Sequence, residues 1–273
     1  MVEILGLLGY GFSVGCFGTL VGIGGGPLLI PMLAIFYHLP PSSTVATSLS
    51  VVFLNALSGS LAYHQEKRID LVSAFLFGMY TIPGSIAAYF LLTQVSHSLF
   101  DKVFGVFLVL LALYVFFGSP PSPHQPTDGH AQRRSLGPLS PRRIVDSDGR
   151  SYCYEVDERL GNLINVIFGA GTTILGIGGG ILQVPLLVYV LRFPVHVATA
   201  TSHCITAINT FITLIPLLYF GHVDPKLTLC LGLGAVAGAR LGARLSRRFS
   251  DRTLLLLLGI IFLFAALRML GSH

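Results

Sequence analysis

Long apolar stretches alternate with short polar breaks along the chain and divide it into two similar halves. Runs of about 18 or more apolar residues are typical of membrane-spanning helices, and several occur here. Each half contains five apolar segments. Those of the first half are about 3–21, 27–38, 43–64, 71–93 and 99–117, and those of the second are about 160–175, 181–192, 197–220, 226–243 and 253–270. The pattern predicts an all-α polytopic membrane protein.

The second segment of each half is short and follows a run of glycines. Gly22–Pro31 reads GIGGGPLLIP, and Gly176–Pro185 reads GIGGGILQVP. Consecutive glycines hold a helix poorly, and proline cannot donate a backbone hydrogen bond. About a dozen helical residues rise roughly 18 Å, which is short of a hydrocarbon core of about 30 Å. We therefore predict a broken helix at each run, followed by a half-helix or a short buried helix.

The two halves are an internal repeat, because a shift of 154 positions superposes them in one register. The shift places identical residues on each other over more than sixty positions. The matched sets are Gly22–Gly26 with Gly176–Gly180, Ala46–Ser48 with Ala200–Ser202, Asn55 with Asn209, and Asp70 with Asp224. We divide the chain into a first membrane repeat (1–118), a polar linker (119–159) and a second membrane repeat (160–273).

Composition supports a membrane location and restricts the rest. Only 11% of the residues are charged and 53% are hydrophobic, whereas soluble domains carry about 25% charged residues. The net charge of +5 comes mainly from arginines in a few loops, which favours topology signals over a nucleic-acid surface. The linker is rich in Pro, Ser, Asp and Arg. Its stretch 151–156 could form a short strand, but the composition favours a disordered linker.

Three basic loops give the expected topology. They are Lys67–Arg68, the linker, and the loop containing Arg240–Arg252, and short loops rich in Lys and Arg stay in the cytoplasm. Five crossings in each half place all three loops there and make the halves inverted repeats. Four crossings would make the halves parallel and put the last loop outside. We favour the inverted repeat, in a bacterial-type plasma membrane, with both termini outside.

The glycine breaks are the candidate substrate site. The first N–H groups of a helix lack intrahelical partners and attract anions, so the backbone of Gly24–Gly26 and Gly178–Gly180 is predicted to bind one. Polar residues of the third segments would complete the site, with Gln183 on the second short helix. They are Thr47, Ser48, Asn55, Thr201, Ser202 and Asn209. The alternatives are close packing through small residues and hydrogen bonds between helices.

His203 lies in an apolar segment and is a candidate for proton coupling, because histidine titrates in the physiological range. A buried core histidine is the alternative. Neither a C-x-x-C pair nor a nucleotide-binding or hydrolase motif is present, so we predict no cofactor, no metal and no enzyme activity. The expected partners are a small anion and membrane lipids.

The doubled Gly-x-Gly-Gly-Gly-x-x-x-x-Pro motif, followed by Ala-Thr-Ser and Asn in both halves, resembles the sulfite exporter TauE/SafE family. The resemblance covers about 4–117 and 160–270. It implies a secondary transporter that exports sulfite or an organosulfonate by alternating access, with proton coupling as a further expectation. A passive anion channel on the same fold is the main rival function, and an intramembrane enzyme is the weaker one.

Overall fold

The computed structural model describes residues 2–92, 139–174 and 176–270, together with nine positions between 102 and 117. Its first half contains α1 (Val2–Val21), α2 (Gly26–Phe36), α3 (Pro41–Gln65) and α4 (Leu71–Leu92). An antiparallel hairpin of β1 (Leu139–Val145) and β2 (Ser151–Asp157) follows. The second half contains α5 (Glu158–Ile174), α6 (Gly180–Pro185) with a π-helical turn (Leu186–Val190), α7 (Val195–Tyr219), α8 (Pro225–Ser246) and α9 (Asp251–Leu270).

The structure is mostly helical and consistent with a polytopic membrane protein, although the prediction of an all-α fold missed the hairpin of β1 and β2. Within the described ranges, five helices are long and apolar enough to cross a membrane: α1, α3, α4, α7 and α8. The predicted short helices are present as α2 and α6 with its π-helical turn. Of the predicted segment 99–117, the described positions are helical and the others lie outside the described residues.

Each glycine run interrupts its helix with positive backbone φ angles at the same three positions. In the first half, Gly22, Gly24 and Gly25 have φ of +88°, +74° and +91°. The equivalent glycines of the second half, at positions 176, 178 and 179, have φ of +65°, +72° and +102°. Residues with a Cβ rarely adopt this conformation, which explains why three glycines recur at the same spacing.

The first helix of each half packs against the fourth helix of the other half. A Cβ on Gly11 would collide with the backbone of Leu231, and one on Gly242 with the backbone around Cys16 and Leu20. Residue numbers rise together along this contact, so α1 and α8 run in the same direction. In the same way, Gly84 of α4 packs on the backbone of α5, so small residues bring both helix pairs into backbone contact.

The contacts of α3 and α7, the third helix of each half, show the relative directions of the other helices. The contacts between α3 and α8 rise together, from Thr47 beside Asp224 to the hydrogen bond from Ser58 to the Val236 carbonyl. Helices α1, α3 and α8 are therefore parallel, and α2 returns the chain between α1 and α3. Helix α7 runs the other way past α3, with its later residue Phe211 beside Phe53 and its earlier residue His203 beside Gly59.

The expectation of a disordered linker is wrong for residues 139–157, which form the β-hairpin. Asp146 closes its turn by accepting hydrogen bonds from the N–H groups of Asp148 and Arg150. The hairpin needs no core of its own, because Tyr154 and Val156 are buried in the main hydrophobic cluster of the protein. Residues 119–138 of the linker lie outside the described residues. We call the end of the helices that carries this structure the hairpin end.

Candidate functional site

The two glycine breaks lie directly against each other. A Cβ on Gly26 would lie 2.6 Å from Ile177 Cα, and a Cβ on Gly180 would lie 2.6 Å from the Ile23 carbonyl carbon. These two contacts are related by the repeat, since each glycine opens a short helix and touches the break of the other half. The contact requires glycine on both sides and brings the starts of α2 and α6 together between α3 and α7.

A serine from each half holds the break of the other half. Ser48 Oγ donates to the Gly176 carbonyl at 3.0 Å, and Ser202 Oγ donates to the Gly22 carbonyl at 2.8 Å. Both serines are fully buried. The predicted polar residues Ser48 and Ser202 of the third segments therefore face the breaks. Each makes the equivalent hydrogen bond to the break of the other half.

We expect Ser48→Ala and Ser202→Ala to destabilise the protein by similar amounts, about 1–3 kcal/mol each, because each leaves a buried carbonyl without this donor. Ser13→Ala is the matched control, since Ser13 Oγ also donates to a carbonyl but is exposed. Unfolding curves of the purified variants in detergent measure the effect. Losses no larger than that of the control would contradict the assignment.

The two asparagines of the third segments have different partners. Asn55 accepts a hydrogen bond from Thr19 Oγ1 and donates to the Gly24 carbonyl at 2.9 Å, so it holds the break of its own half. Asn209 accepts from Ser85 Oγ of α4 at 2.6 Å and lies 3.3 Å from Thr172 Oγ1 of α5. The repeat is therefore asymmetric at this level.

Polar groups gather around Gly179 on the second-half side. A Cβ on Gly179 would lie 3.5 Å from Asn209 Nδ2 and 3.7 Å from Thr206 Oγ1. The Thr206 hydroxyl is buried and has no hydrogen-bond partner. The equivalent Gly25 faces the apolar Val14 instead. A hydroxyl and an amide are thus presented beside one break, and both can donate to an anion oxygen.

The backbone adds further donors at the breaks. Among the described residues, the N–H groups of Gly25 and Gly26 and of Gly178–Gly180 have no backbone acceptor. The N–H of Gly24 donates to the Gly18 carbonyl at 3.2 Å, so Gly24 is engaged within its own half. Such unpaired N–H groups at helix starts carry partial positive charge.

The remaining predicted site residues occupy other contacts. The Thr47 and Thr201 hydroxyls accept hydrogen bonds from the N–H groups of Asp224 and Asp70, at the starts of α8 and α4. The Gln183 amide donates to Asn165 Oδ1, and its oxygen is buried without a partner.

His203 is fully buried beside the first break. Its Nε2 lies 3.1 Å from Thr19 Oγ1, its Nδ1 has no hydrogen-bond partner, and the Tyr63 ring meets it edge-on. Thr19 thus links His203 to Asn55 and, through it, to the break.

Sequence reasoning missed three residues of this region: Thr19, Thr172 and Ser85. Thr19 could have been found from the repeat, because the shift of 154 positions places it on an identical residue, Thr173. The repeat carried no such signal for Ser85, whose equivalent is Ala239. The buried charged side chains of the described residues are Glu66, Arg68, Asp70, Asp146 and Asp157, and their contacts lie at the hairpin end. The breaks are therefore polar but uncharged.

The chain matches the model of one protein family over nearly its whole length. Residues 7–269 match the model of the family described as sulfite exporter TauE/SafE. The chain belongs to the sulfite exporter TauE/SafE family. The expected resemblance is thereby confirmed over both halves.

Relatives of this TauE/SafE member are described as probable membrane transporter proteins. YunE of Bacillus subtilis is 28% identical over 92% of this chain and 91% of its own length. MJ0441 of Methanocaldococcus jannaschii is 26% identical over 92% and 89%, and YjnA of B. subtilis is 26% identical over 95% and 97%. No solved structure matches the chain significantly. The protein is a multi-pass membrane protein of a transporter family, and its relatives are described as transporters rather than enzymes.

Proposed function

We propose that this TauE/SafE member exports a small sulfur-containing anion, sulfite or an organosulfonate, by alternating access. The observation that carries the proposal is the contact between two broken helices beside an uncharged polar cluster. Matched broken helices that meet at the centre of a repeat are typical of secondary transporters. The family's description as sulfite exporters supports sulfite as the substrate class and export as the direction.

The proposed membrane arrangement is an inverted repeat. It is supported by helix direction, because α3 runs parallel to α8 and antiparallel to its own repeat equivalent α7. Helices that cross the membrane in this way relate the halves by an axis in the membrane plane. In this arrangement α2 and α6 cross between their neighbours as short, broken helices.

The hairpin end faces the cytoplasm in this proposal. The three basic loops meet there, since Arg68 donates to Ser246 and Arg247 pairs with both Glu66 and Asp148. Loops rich in arginine and lysine are retained on the cytoplasmic side. The opposite end carries only an exposed pair, Lys226 with Glu3, among the ion pairs of the described residues.

The anion is proposed to bind beside Gly178–Gly180, held by backbone N–H groups, the Thr206 hydroxyl and the Asn209 amide. Gly25 and Gly26 offer the equivalent N–H groups from the first half. Ser48, Ser202 and Asn55 keep the two breaks in place, and Thr47, Thr201, Gly24 and Gln183 support their helices. A site built from dipoles without a fixed charge binds an anion reversibly, which transport requires.

Proton coupling is proposed to use His203. The imidazole has one bonded nitrogen and one unpartnered nitrogen, and it is connected to the break through Thr19 and Asn55. Proton uptake at the free Nδ1 would change the charge next to the first break, where the anion passes.

The test is transport of radiolabelled sulfite in proteoliposomes, with or without an imposed pH gradient. We expect accumulation that depends on the gradient, and a reduction of at least tenfold in Asn209→Ala and Thr206→Val. Ser13→Ala serves as the control because it lies outside the site.

The same measurement separates the alternatives. Sulfite that only moves down its own gradient, without saturation or exchange, would favour a passive channel. Sulfite that does not move would exclude sulfite, and lack of movement of organosulfonates in the same assay would overturn the substrate assignment. Parental transport in both site variants would overturn the location of the site.

A further inference from the structure

The hairpin covers one of two ends that the repeat otherwise makes equivalent. At the hairpin end, Asp70 begins α4, and its N–H donates to Thr201 of the other half. At the opposite end, Asp224 begins α8, and its N–H donates to Thr47. Asp70 is only 4% exposed because the hairpin lies over it, whereas Asp224 is partly exposed. The hairpin is therefore an asymmetric addition to one mouth of the protein.

The body of the hairpin ties the first half to the second. Tyr154 Oη donates to Asp70 Oδ2 at 2.9 Å, and the Tyr154 ring packs on Phe193 with ring centroids 4.7 Å apart. Arg142 lies 3.6 Å from the same Asp70 carboxylate and 2.5 Å from Glu158. Burial and the charge of Asp70 both raise the pKa of Tyr154, so the phenol keeps the proton that it donates.

The turn of the hairpin makes a second tie at the same end. The Ser147 N–H donates to the Glu66 carbonyl at 3.0 Å. Asp148 pairs with Arg247 at 3.3 Å, and Arg247 also pairs with Glu66 at 3.3 Å. Glu66 follows α3 of the first half and Arg247 follows α8 of the second, so this contact also joins the two halves.

We propose that the hairpin is a latch that holds the mouth at the hairpin end closed. In the proposed alternating access, opening this mouth would separate the start of α4 from the start of α7, which the hydrogen bond from the Asp70 N–H to Thr201 Oγ1 now joins. That movement must break the contacts of Tyr154 and Arg142 with Asp70. The ties are hydrogen bonds and ion pairs, so they can break and form again without any covalent change, and Arg142 is partly exposed while Asp70 is buried. The latch rests on the proposed alternating access and adds to it a control point found at one mouth only.

Two matched reporter positions test the latch without any substrate. Thr199 lies near the start of α7 at the hairpin end, where its side chain would be 2.9 Å from a Cβ on Gly22. Val45 is its repeat equivalent near the start of α3 at the other end, beside Gly176. Both are buried. Thr199→Cys and Val45→Cys are made separately in a protein whose four native cysteines are replaced by alanine. The rate of labelling by a water-soluble methanethiosulfonate reagent is then measured in detergent.

The latch is loosened by Tyr154→Phe with Arg142→Gln, and Arg143→Gln is the control because Arg143 is exposed on the same strand. We expect labelling of Thr199→Cys to rise at least tenfold in the loosened protein and to stay unchanged in the control, while Val45→Cys changes less than twofold. The single change Tyr154→Phe keeps the ring packing and should give a smaller rise, which guards against a double variant that does not fold.

An unchanged Thr199→Cys rate in folded loosened protein, judged by gel filtration, would overturn the latch. An equal rise at both reporters would also overturn it, because it would indicate general loosening. Since no sulfite is used, these results are independent of the substrate proposal. A latch that responds as expected in a protein that does not move sulfite would leave the mouth assignment standing and reject only the substrate.

Discussion

Gly26→Ala and Gly180→Ala are each expected to reduce transport at least a hundredfold. The new Cβ would lie within 3 Å of three backbone atoms of the opposing break, and backbone atoms cannot move aside as the end of a flexible side chain can. Neither glycine has a positive φ, so alanine is conformationally acceptable and even favours the helix by up to about 1 kcal/mol. The loss must therefore come from separating the two breaks.

Flux in proteoliposomes and the melting temperature in detergent are the measurements for this pair. Gly9→Ala is the matched control, because Gly9 is also helical and a Cβ there would have nothing within 4 Å. Parental transport by either site variant would show that the breaks can part without consequence. A drop in the control variant as well would assign the effect to alanine in the helix.

Asp70→Ala should cost far more stability than the equivalent change Asp224→Ala. Both lose a helix cap, which is worth about 1 kcal/mol, since Asp70 accepts from the Ser73 N–H and Asp224 from the Leu227 N–H. Asp70→Ala also leaves Arg142 and the Tyr154 hydroxyl without their buried partner. Breaking a buried pair by removing one member costs about 3 kcal/mol or more.

Unfolding of the two variants side by side tests this difference, with the parent as reference. We expect a loss of about 3–4 kcal/mol for Asp70→Ala and about 1 kcal/mol for Asp224→Ala. Asp70→Ala combined with Tyr154→Phe and Arg142→Gln should recover part of the loss, because the stranded partners are removed. Equal losses at positions 70 and 224 would mean that the hairpin contacts add nothing to the cap.

Much of the fold could be predicted because the sequence pattern is strong where the fold is regular. The long apolar segments gave the spanning helices, and the glycines with positive φ marked the breaks, since other residues are strained there. Asp70 and Asp224 also cap the starts of α4 and α8, and aspartate directly before a helix is a local sequence signal for such a cap. These features depend on local sequence, and a single chain contains that information.

The hairpin and the polar cluster at Gly179 were harder to predict for physical reasons. Residues 139–157 have too few apolar side chains for an independent core, and the strands are held by contacts with the helices, such as those of Tyr154 with Phe193 and Asp70. The polar cluster depends on Ser85 and Thr172, which come from two other helices. Their approach is set by backbone contacts such as that of Gly84 with α5, and no single stretch of sequence encodes it.

The exchange of partners between halves has a consequence for how the protein is made. Helix α1 finds its closest packing partner in α8, and α4 finds its own in α5. During synthesis the first half enters the bilayer before α8 and α5 have been made. The glycine-lined faces of α1 and α4 are then exposed to lipid until the second half is inserted. The same exchange describes how two copies of a half-length ancestor would interlock as a dimer, with the breaks at their shared axis. In a single chain the two ends need not remain equivalent, and here the segment between the halves adds a hairpin at one end only.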